Sequence, residues 1–424
     1  MIDLIIADDF TGSNDAGVQL VNKGMTVNVF FDWQNADFCE KQSDDVKSQN
    51  SVMVVNTESR ATSIQEAQKR IKTVINNHKK MQQCYKKIDS TLRGNIGAEI
   101  EALLDNTQYK VALVIPAFPK MKRTTKNGKC YINGIELINT EFASDPKTPI
   151  YSSNIKACIE QQTAYLCEEI YLATVRNQKL KQHIEALICK NCKIIVIDAE
   201  NDQDLQSILE QILPIQKQVL LVGSAGLIDF FPLAPKQQTK TLKPTNKNPL
   251  LVIAGSMSEV TQQQINYIIK QDNNWKIIDI DITDLLPNFP EIKLSTYIKQ
   301  IQQVLDRQQH CIVRTSSNMT DRHKIEQYCQ QYQVTRTELG EQICQALGLL
   351  VNHLQFDNLF LTGGDVAISV AKSLGAIGFR IEGEVSVGVP YGKLISEKNL
   401  DYRVFTKAGG FGTQDIFLKI LAFI

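Results

Sequence analysis

Residues 4–17 read Leu4-Ile5-Ile6-Ala7-Asp8-Asp9-Phe10-Thr11-Gly12-Ser13-Asn14-Asp15-Ala16-Gly17. Four apolar residues make a short buried strand, two carboxylates follow at once, and a Gly-containing turn leads into a helix over 18–23. A strand passing through a turn into a helix opens a parallel α/β layer. Carboxylates at a strand's carboxyl end stand where open α/β sheets bind ligands, and there they accept hydrogen bonds from hydroxyls or take up a proton. Gly12 and Gly17 have P-loop spacing, but Val18 and Gln19 stand where Lys and Ser or Thr belong, so ATP phosphates are not expected here. A helix N-cap uses one acidic residue and two exceed that need, which marks Asp8 and Asp9 as candidate site residues.

The same alternation extends outward. Short β-branched runs at 26–31, 51–56, 85–88, 111–115, 193–198 and 219–222 predict strands, and apolar Ala67, Ile71, Val74 and Ile75 predict a helix over 63–77. Residues 232–249, PLAPKQQTKTLKPTNKNP, are polar, aperiodic and rich in Pro, Lys and Thr, as a linker is. A second alternation follows, with strands at 250–254, 276–281, 311–315 and 358–362 and helices at 295–307 and 337–353. The expected fold is α/β: two doubly wound domains, 1–231 and 250–424, with mainly parallel sheets facing a central cleft.

Lys plus Arg and Asp plus Glu each number 46, so net charge is zero and neither a basic excess nor a basic stripe points to nucleic acid. No run approaches the ~18 apolar residues of a membrane span, and the N-terminus lacks a basic leader. The ten cysteines are scattered apart from Cys189 and Cys192, which have no second pair for a zinc site; they suit a reducing cytoplasm. His78, His183, His310, His323 and His353 lack metal-ligand spacing and read as structural or exposed. No GxSxG or HExxH is present to suggest a hydrolase.

Two further polar loops follow strands in the first domain. Lys86-Lys87-Ile88-Asp89-Ser90-Thr91-Leu92-Arg93-Gly94-Asn95 offers Lys87, Asp89, Ser90, Thr91 and Arg93, a set suited to a small carboxylate because Arg binds one bidentately. Asn56-Thr57-Glu58-Ser59-Arg60 adds Arg60. Asn127-Gly128 and Asn133-Gly134 around Tyr131 predict a hairpin excursion that carries Arg123 toward a ligand. In the second domain, Gly-rich turns at 254–258, 362–365 and 407–412 follow strands or precede helices. Three such turns suggest a nucleotide site, since Gly lets backbone N–H groups approach phosphate.

These residues resemble the four-carbon acid sugar kinase family: IADDFTGSNDAG, KKIDSTLRGN, PAFP with the RTT, NG and TEFA stretches after it, LVGSAGL, AGSMS, LTGGD and TKAGGFG. The resemblance runs from residue 1 to the end. It implies a sugar-acid-binding first domain, a nucleotide-binding second domain, and phosphorylation of a four-carbon sugar acid at O4 by ATP with Mg²⁺. Asp9, Arg60 and the 87–93 loop would then contact the acid, and Ser256, Ser258, Gly363, Gly364, Asp365, Gly409 and Gly410 would surround ATP. The 86–95 version and the stretch 140–149 are similar to threonate and erythronate kinases, so D-threonate is the expected acceptor, with D-erythronate or L-threonate as alternatives. The 56–60 segment departs from the acidic form usual there, and Ala16 replaces a common Thr, departures that bear on acceptor choice.

The expected reaction is in-line transfer with Asp9 as first candidate base and Asp89 as second. Partners are the sugar acid and ATP, without nucleic acid or membrane, and a homodimer is compatible. A non-catalytic sugar-acid sensor is the rival of a different class, though it has no use for three Gly-rich turns. A dinucleotide oxidoreductase needs GxGxxG, which Gly255 does not begin.

Overall fold

The computed structural model describes residues 2–31, 33–34, 50–79, 81–144, 148–231, 248–255, 258–286, 291–316, 321–398 and 400–424. The chain divides into two compact units, Met1–Gln238 and Thr239–Ile424. Apart from Asn248 and Pro249, the expected linker lies outside the described residues.

The first unit is built on β1 (Leu4–Ala7), β2 (Thr26–Phe30), β3 (Ser51–Asn56), β4 (Cys84–Lys87) and β5 (Val111–Ile115). A separate antiparallel excursion follows, β6 (Arg123–Lys126), β7 (Lys129–Ile132) and β8 (Ile135–Glu136), and then β9 (Cys167–Ile170), β10 (Ile194–Ile197) and β11 (Val219–Gly223). The main sheet runs β2-β3-β1-β4-β11-β5-β10-β9, with every neighbour parallel. β1, β5, β10 and β11 are buried along their whole length, as strands covered on both faces must be, which is why they read as continuous apolar runs. The helix Ile64–Asn77 begins after Ser63, whose hydroxyl accepts from Glu66 N–H, and buries the expected face.

The turn expected between Asp9 and Val18 is instead helix: it starts at Phe10 and runs to Val21, with Asp9 as N-cap. Gly12 is there for close approach rather than for turning. A Cβ on it would run into the Asp9 carboxylate and lie 2.9 Å from Lys87 Nζ. The predicted hairpin is present, with β6 and β7 pairing Arg123 to Ile132; Asn127 and Gly128 have φ of 51° and 70°, the left-handed pair that a type I′ turn requires.

The second unit contains β12 (Leu250–Ala254), β13 (Trp275–Asp279), β14 (His310–Arg314), β15 (Asn358–Thr362), β16 (Ala376–Ser386), β17 (Val389–Ser396) and β18 (Arg403–Lys407). The order β13-β14-β12-β15-β18 is parallel, and β17 and β16 extend it as an antiparallel hairpin. That hairpin is absent from the sequence reading because interior glycines and half-exposed residues blur its alternation. Leu250, Val252, Phe360, Phe405 and Phe417 form the centre of this unit's core.

Both sheets have a strand-order reversal. The chain leaves β1 toward β2 and leaves β4 toward β5, on opposite sides; β12 and β15 diverge in the same way. Crevices at the carboxyl ends of such strand pairs are where doubly wound folds bind ligands. No helix of the described residues is long and apolar enough to cross a membrane.

Candidate active site

At the β1/β4 crevice the three expected loops meet. Asp8, 2% exposed, follows β1 and is clamped by Arg60 from the loop after β3: Nε donates to Oδ2 at 2.7 Å and Nη2 to Oδ1 at 3.0 Å. The same Nη2 donates to Asp9 Oδ1 at 2.6 Å, where Gly12 N–H also donates at 3.0 Å. Asp9 Oδ2 accepts from Thr11 Oγ1 at 2.6 Å. Asp9 thus caps the helix and faces the crevice at once.

From the loop after β4, Asp89 Oδ2 accepts from Arg93 Nε at 2.6 Å and from the Thr91 hydroxyl. Arg123, at the start of the excursion and buried, donates from Nη1 to the Ser90 hydroxyl. The guanidiniums of Arg93 and Arg123 lie 5.6 and 5.7 Å from the ring centre of Phe142, which belongs to the TEFA stretch. Lys87 Nζ donates to Ile88 O at 3.0 Å beside Gly12.

Burial alone would raise both inner carboxyls, and the cations reverse it. Asp8 is held below its ordinary value because Arg60, with Lys86 and Lys87, outweighs burial. Asp89 lies well below the usual carboxylate range, since Arg93, Arg60 and Arg123 together overcome desolvation. Arg60 is correspondingly held well above its ordinary value: burial opposes its charge, but Asp8, Asp9 and Asp89 more than compensate.

Beneath this layer sits a pair that sequence reasoning missed. Lys86 Nζ lies 2.8 Å from Glu99 Oε2, with both side chains almost wholly buried, an ion pair by distance although its direction is poor for a hydrogen bond. Glu99 also accepts from the Ser59 hydroxyl, and Asn95 Nδ2 bonds the carbonyls of Ser59 and Thr62 at 2.9 Å each. The pair therefore braces the loop that carries Arg60. The signal available was a lysine inside a strand otherwise destined for the core.

In the second unit, the turn after β15 puts Gly363 at φ 100° as N-cap of the helix Gly364–Ser373, without a capping side chain. A side chain on Gly255 would collide with Val366, so glycine lets this helix start close to the end of β12. Asp365 lies in the first turn. Ser258 is the N-cap position of the helix Glu259–Gln271, and Ser256 lies outside the described residues. That helix reaches across to the 408–413 turn. Thr261 Oγ1 donates to Gly409 O at 2.9 Å, and Gln264 Nε2 lies 3.0–3.2 Å from the carbonyls of Phe411, Gly412 and Thr413. Thr261 and Gln264 were also missed; polar residues three apart on an inward helix face were their signal. At the neighbouring ends of β13 and β14 a cavity of about 320 Å³ is lined by Asp279, Asp281, Tyr297, Arg314 and Tyr328.

Comparison with known proteins gives the two units an assignment. Residues 4–230 match the model of a sugar-binding N-terminal domain and 251–417 that of a nucleotide-binding C-terminal domain. D-threonate kinase of Salmonella typhimurium is 37% identical, covering 99% of this chain and 98% of the relative. D-erythronate kinase of Heliobacterium modesticaldum is 30% identical, covering 97% and 94%. A solved structure from Salmonella typhimurium LT2 superposes with a TM-score of 0.80 over 99% of both chains, and at 23% identity it speaks to fold. With both domains matched in order and relatives similar along their whole length, the chain belongs to the four-carbon acid sugar kinase family.

Proposed function

We propose that the protein transfers the γ-phosphoryl group of ATP to the 4-hydroxyl of a four-carbon sugar acid, with D-threonate as acceptor and D-erythronate or L-threonate as alternatives. The observation carrying this reading is the convergence of Arg60, Lys87, Arg93 and Arg123 on Asp8, Asp9 and Asp89 in one crevice of the sugar-binding domain. Guanidiniums bind a carboxylate bidentately, and ionised carboxylates accept from hydroxyls. A small polyol acid needs both. The 37% identity to a D-threonate kinase supports the choice among acceptors.

Arg93 and Arg123, flanking Phe142, are assigned to the carboxylate of the acid, with Ser90 and Thr91 beside them. Arg60 holds Asp8 and Asp9 in place. Asp89, stabilised as an anion by three guanidiniums, makes a weak base and is assigned to orientation. Asp9 is assigned to the reacting hydroxyl: Oδ2 accepts from Thr11 and has one lone pair left for a substrate O–H. As the O–P bond forms and ADP leaves, the hydroxyl proton passes to Asp9.

ATP is assigned to Ser258, Gly363, Gly364, Asp365, Gly409 and Gly410, whose backbone suits phosphate. Magnesium usually keeps several waters and takes one or two carboxylates along with phosphates. Asp365 is the carboxylate assigned to it, and no group of three such ligands occurs among the described residues. The ion would offset charge on the transferring group.

The test is ADP release from purified protein with MgATP and D-threonate, D-erythronate, L-threonate or L-erythronate. Release dependent on D-threonate is expected. Binding of MgATP without turnover of any acid would remove the acceptor class, and acid binding indifferent to nucleotide would favour the sensor.

A further inference from the structure

Lys407 ends β18 and is buried, its side chain lying under the turn that follows. Nζ donates to Thr261 Oγ1 at 2.9 Å, Ala408 O at 3.1 Å and Gly409 O at 2.9 Å. An ammonium has three donors, and here they meet three acceptors, all uncharged. The charged residues on surrounding elements are Glu259, Lys270, Asp365, Lys372, Lys393, Arg403, Asp415 and Lys419. None is bonded to Nζ, and burial alone draws its pKa down to about 7.

The carbonyl directions matter as much as the charge. In a planar trans peptide the C=O and N–H point opposite ways. Because the carbonyls of Ala408 and Gly409 aim at Nζ, the N–H groups of Gly409 and Gly410 aim away from it. On that side the turn is open: Gly410 is exposed, and a Cβ there would meet nothing within 4 Å.

We propose that Lys407 is a positioning residue for the nucleotide, its ammonium fixing peptides 408–410 with their N–H groups outward while the phosphates supply the negative charge its surroundings lack. The proposal rests on reading the second unit as the nucleotide site. A buried cation without a counter-ion is costly, and an arriving anion relieves that cost. Binding therefore favours the protonated lysine. Above neutral pH the nucleotide should draw a proton onto the protein, and affinity should fall as pH rises.

The experiment is calorimetric titration of the full chain with MgADP from pH 7 to 9, in two buffers of different protonation enthalpy. Above pH 7.5 the terminal phosphate, with a second pKa of about 6, is ionised and adds little of its own. Uptake of a large part of one proton is expected near pH 8, with affinity falling several-fold toward the limit of about tenfold per pH unit. Lys407→Met should abolish the uptake and weaken ADP about tenfold at pH 7.5. A merely structural lysine predicts no proton uptake by the wild type and the same pH dependence of ADP affinity in both proteins.

ADP binding by the wild type with no proton uptake would overturn the proposal whether or not the variant folds. Wild-type affinity in Lys407→Met would do the same. Failure of the wild type to bind ADP at any pH would overturn the nucleotide reading along with it.

Discussion

Asp9 serves a helix and, in the proposed reaction, a substrate, and the two duties can be separated. Asparagine keeps an oxygen to accept from Gly12 N–H, so the cap survives while the base is lost. Asp9→Asn is expected to lower kcat about 10²–10⁴-fold, the usual contribution of a positioned base, while ADP affinity measured by calorimetry stays the same. An unchanged kcat would remove Asp9 from that role. Lys86 makes a contrasting case. Removing it strands Glu99, whose carboxyl burial already raises. Lys86→Met should cost about 3–5 kcal/mol in urea unfolding, as breaking one side of a buried pair does. With the folded pKa of Glu99 above its unfolded value, that loss should grow as pH rises from 5 to 8. Equal losses at both pH values would show that packing rather than charge is responsible. At this scale the sequence revealed residues at strand ends, where polarity interrupts an apolar run. It concealed Glu99, because nothing local distinguishes a buried charge on a helix from a solvated one, and a lysine inside a core strand was the one local sign of the pair.

At the scale of elements, the excursion β6–β7 hangs on Asp198, which follows β10. Its Oδ1 accepts from Gly128 N–H at 3.2 Å, while Oδ2 is buried without a partner among the described residues. Burial, only partly offset by the Gly128 and Asn127 N–H groups, raises the carboxyl to about 6. A carboxyl raised in the folded state withdraws stability as pH climbs from about 4 to 6. Asp198→Asn removes that dependence and keeps an acceptor for Gly128. Its melting temperature should match the wild type near pH 4 and exceed it at pH 8; a lower value at pH 8 would contradict this account. Gly255→Ala tests the other unit, since the added methyl meets Val366 and must push back the helix Gly364–Ser373. Overpacking of this kind costs about 1–3 kcal/mol, and ADP affinity should fall with it; undiminished affinity would detach this helix from the nucleotide. Most elements were readable from period and β-branching. The helix at Phe10 was not, because its glycines look like a turn, and the closeness of Asp9 and Lys87 explains Gly12.

For the molecule as a whole, each unit has its own apolar core, one centred on strands such as Val114 and Val196, the other on Phe360 and Phe405. If nucleotide binds only the second unit, ADP at 100 times its Kd should add about 2.7 kcal/mol to that unit alone. Scanning calorimetry should then show a nucleotide-sensitive step distinct from one raised by the sugar acid. A single step moved equally by either ligand would argue that the units unfold together. The two-part organisation was legible because residues 232–249 break the alternation so plainly.

The position of β11 has a consequence for how the chain is made. Val219–Gly223 lies between β4 and β5, pairing with residues more than a hundred positions earlier. Parallel pairing at such separation delays the formation of native contacts. A growing chain therefore carries an open slot between β4 and β5 until β11 has left the ribosome. For most of the first unit's synthesis, the crevice where Asp8 and Asp89 will meet lacks the strand that locks β4 into the middle of its sheet.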